Sequence, residues 1–135
     1  MGDDDNYVGR KVGYMRVSTD EQDLQMQRDA LIRDGVPADR IFSDKMSGKS
    51  QNRPGLKRAI KVCRPGDLIV VWKLDRLGRS VSGLIETTEM LKKAEIGFRS
   101  ITEQFDTSGP GGRMLMQIMM VMAEFERNII AERTK

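Results

Sequence analysis

Leu68-Ile69-Val70-Val71-Trp72 is a run of apolar residues with no polar break. A strand with one wet face alternates polar and apolar residues. An unbroken run needs cover on both faces, as at the centre of a parallel sheet with helices above and below it. The flanking sequence fits that requirement. Val12–Val17 reads as a strand and Asp20–Asp34 as a helix with Leu24, Met26, Ala30 and Leu31 inward, ended by Gly35 and Pro37. Arg40–Ser43 is a short strand, and Pro54 opens a short helix with Leu56, Ala59 and Ile60 inward. Beyond the central strand come a helix with Leu84, Thr88 and Leu91 on one face and a strand at Gly97–Thr102. This alternation predicts an α/β fold: a mainly parallel sheet of four to five strands with flanking helices, residues 12–109. At 135 residues the chain is one domain with a single core. Residues 1–11, with Asp3-Asp4-Asp5, read as a flexible tail.

Residues 110–135 differ from the rest. Thr107 or Ser108 can cap a long helix with Pro110 in its first turn, and nothing after Gly111-Gly112 breaks it. Between Met114 and Met122 only Gln117 is polar. A helix lying on a monomer needs one apolar stripe. This one is apolar around most of its circumference, so it is expected to pack on its own domain and on something else. Met114, Leu115, Ile118, Met119 and Met122 are the expected interface residues, and the methionines make that surface adaptable.

Composition removes several functional classes. The chain has no histidine, which excludes a Ser-His pair, and one cysteine, Cys63, which excludes an internal disulfide and suits a reducing compartment. Metal catalysis lacks its usual ligands, so neither metal nor cofactor is expected. No apolar run approaches membrane-spanning length, and the first residues lack the apolar region of a signal peptide. A cytoplasmic location follows as the expectation. Ser47-Gly48-Lys49-Ser50 ends like a phosphate-binding loop, but position 43 is serine where that loop needs glycine. Trp72 and Tyr7 are too isolated to form a stacking platform for single strands. A net charge of +3 permits nucleic-acid binding without demanding it.

Two constellations carry chemistry. Tyr14-Met15-Arg16-Val17-Ser18-Thr19 delivers an arginine and a serine to the end of the first strand. Open α/β sheets bind ligands at that edge. Ser18 with Glu21, or Thr19 with Gln22, also has the spacing of a helix capping box, so Ser18 is either a cap or a nucleophile. Asp75-Arg76-Leu77-Gly78-Arg79 follows the most apolar strand and should share the same edge. It is either a solvated turn or, with Arg16, a set of guanidinium groups for a phosphodiester, whose oxygens arginine forks hold bidentately.

Together these segments resemble the catalytic domain of serine recombinases of the resolvase and DNA-invertase group. The resemblance runs from about Val12 to the last residue and rests on Tyr14–Thr19, Asp44-Lys45-Met46-Ser47-Gly48, Arg53-Pro54-Gly55-Leu56, Lys73–Arg79, Ala123-Glu124-Phe125-Glu126-Arg127 and Glu132-Arg133-Thr134, in order. It implies that Ser18 is the nucleophile, with Arg16, Arg53, Asp75, Arg76 and Arg79 in the active site and Tyr14, Gln22, Gln27 and Asp44 supporting it. Arg127 and Glu132 would contact DNA, and the long helix would mediate homodimer and homotetramer contacts. The implied activity is cleavage and rejoining of double-stranded DNA through a 5′-phosphoserine intermediate, in the nucleoid. Members of the group continue beyond the long helix into a helix-turn-helix domain; a chain ending at Lys135 is expected to be the catalytic part alone. Rival readings are a non-catalytic assembly module on the same fold and a phosphatase-like hydrolase using Ser18.

Overall fold

A computed structural model describes residues 9–45, 53–78, 81–107 and 110–133. The chain runs β1 (Lys11–Val17), α1 (Glu21–Arg33), β2 (Ile41–Lys45), α2 (Pro54–Val62), β3 (Leu68–Val71), α3 (Val81–Lys93), β4 (Gly97–Ser100), β5 (Phe105–Asp106) and α4 (Pro110–Arg133). The strands form one sheet in the order β2-β1-β3-β4-β5, parallel except for β5, which runs antiparallel to β4. The α/β reading holds. The apolar run lies at the centre, where Ile69, Val70 and Val71 are fully buried.

Both faces of the sheet are covered. Val12, Tyr14, Ile69 and Val71 pack with Leu56 and Ala59 of α2 and Leu84, Ile85 and Leu91 of α3. Met15, Val17 and Val70 pack on the other side with Leu31 of α1 and Val36. Gly13 lets α1 approach: a β-carbon there would meet Leu31, Val36 and Ile41 at 3.0–3.2 Å.

The chain leaves β1 for β2 on one side, then crosses to β3 on the other. The carboxyl ends of β1 and β3 therefore flank a topological switch point, the crevice in which such sheets bind ligands. Ser18 follows β1 and the Leu74–Arg76 turn follows β3, so the fold itself brings the two motifs together.

Several boundaries and faces differ from the expectation. Leu24 and Met26 are 38% and 41% exposed, and Gln27 and Leu31 take the inward positions of α1. Gln27 is held inward by hydrogen bonds from its amide to the Arg16 carbonyl and to Asp23. The strand expected at Arg40–Ser43 is Ile41–Lys45, because Ala38–Arg40 forms a 3-10 turn. The strand expected to reach Thr102 stops at Ser100, although the Ile101 and Thr102 amides still donate to the Val71 and Trp72 carbonyls. Two-residue β5 carries no periodicity to read. Thr107 Oγ1 accepts the Phe98 amide at 2.9 Å, which ties the start of α4 to β4; Ser108, the other expected cap, lies outside the described residues. Cys63 is half-buried, and burial pushes its thiol up to about 11, which makes it inert near neutrality.

Candidate active site at the carboxyl edge of β1 and β3

Arg16 lies in β1 with 4% exposure, and Ser18 follows the strand as an exposed residue. Ser18 does not cap α1. That role falls to Asp20, whose carboxylate accepts the Gln22 amide at 2.9 Å, so the cap lies two residues past Ser18 and one past Thr19, the other expected cap. Gln22 contributes its backbone to this cap. The Asp20 amide in turn donates to Ser18 Oγ at 3.2 Å.

A carboxylate that the sequence did not single out joins the pieces. Asp23, in the first turn of α1, accepts the Ser18 amide at 3.1 Å and faces Ser18 Oγ at 3.5 Å. Gln27, one turn on, donates from Nε2 to Asp23 at 3.1 Å and to the Arg16 carbonyl at 3.2 Å. Arg76 reaches the same two partners, donating to the Arg16 carbonyl at 2.9 Å and to Asp23 at 3.4 Å. Its guanidinium lies 5.4 Å from the centre of the Trp72 ring, and Lys73 Nζ lies 5.0 Å from that ring. Asp75, two-thirds exposed, pairs with Arg76 Nε at 3.5 Å. Asp23 shares its place in the first turn of α1 with Glu21, and each has a glutamine four residues later, so the spacing alone does not mark Asp23.

Asp44, Tyr14 and Arg53 form a neighbouring group. Asp44, in β2, accepts the Gly55 and Leu56 amides at 2.8 and 3.0 Å, and so holds the start of α2 where orphan N–H groups need partners. It also accepts the Tyr14 hydroxyl at 2.8 Å. Gly55 is required there: a β-carbon would lie 2.2 Å from the Ser43 carbonyl oxygen. Burial pushes the Tyr14 phenol up to about 12, with Asp44 adding to the rise and Arg53 opposing it, so Tyr14 stays protonated and is no base near neutrality. Arg53 adopts the left-handed backbone (φ 44°) and turns its side chain inward. It donates to the Leu77 carbonyl, to Thr87 Oγ1 at 3.3 Å and to the Tyr14 hydroxyl at 3.5 Å.

The structure thus brings Ser18, Arg16, Gln27, Asp75 and Arg76 into one connected group and sets Tyr14, Asp44 and Arg53 in a second. Arg79, most of the expected loop after Asp44 (residues 46–52) and the 1–8 segment lie outside the described residues. Arg127, Glu132, Leu115 and Met119 belong to α4, but their side chains also lie outside them. Along α4, Met114, Ile118, Val121, Met122 and Phe125 are 48–66% exposed and line one apolar stripe, while Gly112 and Met116 face the domain. No helix among the described residues is long and apolar enough to cross a membrane.

The Resolvase N-terminal domain family model matches residues 11–135. Serine recombinase gin of Escherichia phage Mu is 50% identical over 123 residues, 91% of this chain and 63% of that protein. DNA-invertase hin of Salmonella typhimurium is likewise 50% identical over 123 residues, 91% of this chain and 64% of that protein. The chain therefore spans a little under two thirds of the length of these relatives. The N-terminal catalytic domain of TP901-1 integrase superposes with a TM-score of 0.74 at 30% identity, covering 89% of this chain and 98% of that one. Sequence, fold and the chemistry gathered at the sheet edge agree, and the chain belongs to the resolvase family, as its N-terminal domain.

Proposed function

We propose that this domain carries out the strand cleavage and rejoining of a site-specific DNA recombinase, with Ser18 as nucleophile. The observation that carries the reading is the meeting of an exposed serine hydroxyl and the Arg76 guanidinium on one carboxylate, at the switch point of the sheet. Its relatives are named recombinase and invertase, which supports DNA as the substrate.

In the proposed step Ser18 Oγ forms a bond to a backbone phosphorus and the bond from phosphorus to the 3′ oxygen breaks. Ser18 gives up one proton and the 3′ oxygen gains one. The 5′ phosphate is left esterified to the enzyme, so the reverse attack by a 3′ hydroxyl rejoins a strand without an external energy source. Arg16, Arg76 and Arg79 would hold the phosphate and offset the charge that builds on it. Asp75 would orient Arg76. Arg53, which now donates to Leu77 and Thr87, would join them by turning its side chain from those partners, while Asp44 holds Tyr14 and the start of α2. Gln22 and Gln27 would support the Ser18 turn, and Arg127 and Glu132 would meet DNA along α4. Such an enzyme would work in the cytoplasm, at the nucleoid.

The test joins the chain through its carboxyl end to a DNA-binding module of known operator. It is given a supercoiled plasmid with paired operators flanking a spacer. Cleaved plasmid carrying covalently bound protein on a denaturing gel is the expected product, absent from Ser18→Ala. Cleavage that survives Ser18→Ala would refute the assignment. A phosphatase-like activity would instead release inorganic phosphate from p-nitrophenyl phosphate.

The exposed stripe of α4 supports a homodimer, and a tetramer during exchange, because a contiguous apolar patch on a surface helix marks an interaction site. A charge at its centre should break the assembly and leave the fold alone. Ile118→Asp is expected to sediment as a monomer with an unchanged melting temperature, where the parent sediments as a dimer. A parent that stays monomeric at high concentration would contradict this.

A further inference from the structure

We propose that Asp23 is the positioning residue of the nucleophile. It would hold Ser18 and Arg76 in one geometry so that hydroxyl and guanidinium meet the same phosphate. The proposal rests on the recombinase reading above and deepens it.

Asp23 is largely enclosed, with 13% of its side chain exposed, and donors reach both of its oxygens. Oδ2 takes the Ser18 amide, faces the Ser18 hydroxyl and takes Gln27 Nε2, while Oδ1 faces Arg76 Nη2. Gln27 is fully buried and is itself tied to the Arg16 carbonyl, so the carboxylate cannot swing without breaking its bonds to the Ser18 amide and to a fixed Gln27. The consequence for Ser18 follows from its valence. A serine hydroxyl has one proton and two lone pairs. Here Asp23 Oδ2, at 3.5 Å, is the acceptor facing the hydroxyl, and one lone pair accepts the Asp20 amide. The remaining pair is the one left to attack, and its direction is fixed by Asp23 on one side and Asp20 on the other. The 3.5 Å separation from Oγ is long, as hydroxyl contacts often are before substrate closes the site, whereas the 3.1 Å bond from the Ser18 amide already fixes the turn.

A purely structural Asp23 would do no more than favour the positive end of α1, as acidic residues in a first turn do. The two roles separate experimentally. Asparagine keeps an acceptor for the Ser18 amide and for Gln27 but places an amide N–H₂ against Arg76. Alanine removes the acceptor altogether, and leucine does so while keeping the volume and the helix. Misplacing reacting groups by about an ångström costs on the order of a hundredfold.

With the operator-tethered chain and the plasmid described above, single-turnover cleavage is measured at saturating DNA for the parent, Asp23→Ala, Asp23→Leu and Asp23→Asn, alongside Ser18→Ala. The expected result is a loss of about a hundredfold for Asp23→Ala and Asp23→Leu. Half-saturating DNA concentration should stay close to the parent's, unfolding should stay cooperative with a lowered midpoint, and Asp23→Asn should recover to within about tenfold of the parent. If the parent forms a Ser18-dependent adduct and the alanine and leucine variants cleave as fast as it does, the positioning role is wrong and the nucleophile stands. If Asp23→Asn is as slow as alanine, held geometry is not what Asp23 supplies and the proposal is overturned. If the parent forms no adduct, the recombinase reading itself fails.

Discussion

Arg76→Ala is expected to slow DNA cleavage by about a hundredfold to a thousandfold, the usual loss when one donor to transition-state charge is removed. The stability cost should be far smaller. Arg76 donates to the Arg16 carbonyl and to Asp23, and a lost hydrogen bond of this kind costs about 1 kcal/mol. The variant should therefore melt within a few degrees of the parent and still bind the tethered plasmid. Arg76→Lys should rescue little, because an ammonium cannot hold the Arg16 carbonyl and a phosphate oxygen with one planar fork. Single-turnover cleavage beside thermal melting checks both halves. An alanine variant that cleaves at the parent's rate would remove Arg76 from the site.

Asp44→Ala should have the largest effect on stability, for a reason unrelated to charge transfer. One carboxylate takes the two amides that start α2 and the hydroxyl of Tyr14, whose ring is fully buried. Losing a helix-start acceptor costs about 1–2 kcal/mol. Leaving a buried hydroxyl without its acceptor costs about 1–3 kcal/mol more. A loss of about 3 kcal/mol in urea unfolding is the expected outcome, with Asp44→Asn recovering part of it. Cleavage by the variant should fall as well, since Arg53 leans on Tyr14 and its backbone enters α2 directly. Equal unfolding midpoints for Asp44→Ala and the parent would show that the carboxylate is not the anchor of this corner.

Much of the architecture was legible because it follows from periodicity and interruption. The unbroken Leu68–Trp72 run forces a central, doubly covered strand, and the serine-bearing strand-to-helix turn and the arginine loop fall at the same sheet edge once β1 and β3 are neighbours. What could not be read depends on three-dimensional neighbours. Gln27 looks like a surface residue of an amphipathic helix, yet it is fully buried because the Arg16 carbonyl and Asp23 give its amide partners. Leu24 and Met26 look like core residues, yet both are exposed, because Gln27 and Leu31 set the buried face of α1. Asp23 is one acidic residue among several near the start of α1, and nothing in its spacing tells it from Glu21. Only the path of the chain after Val17 turns Ser18 back toward it. The inward turn of Arg53 likewise depends on a left-handed residue before Pro54 and on Thr87 of α3, far along the chain.

In the proposed step the hydroxyl of Ser18 takes a DNA phosphate. Digesting the trapped protein–DNA adduct with nuclease and then trypsin, which cuts after Arg16 and Arg28, isolates residues 17–28 for mass spectrometry. That peptide is expected to carry a nucleotide through its 5′ phosphate, with fragment ions placing the added mass on Ser18. The added mass on Thr19, on Tyr14 or on no residue at all, while cleavage proceeds, would contradict it.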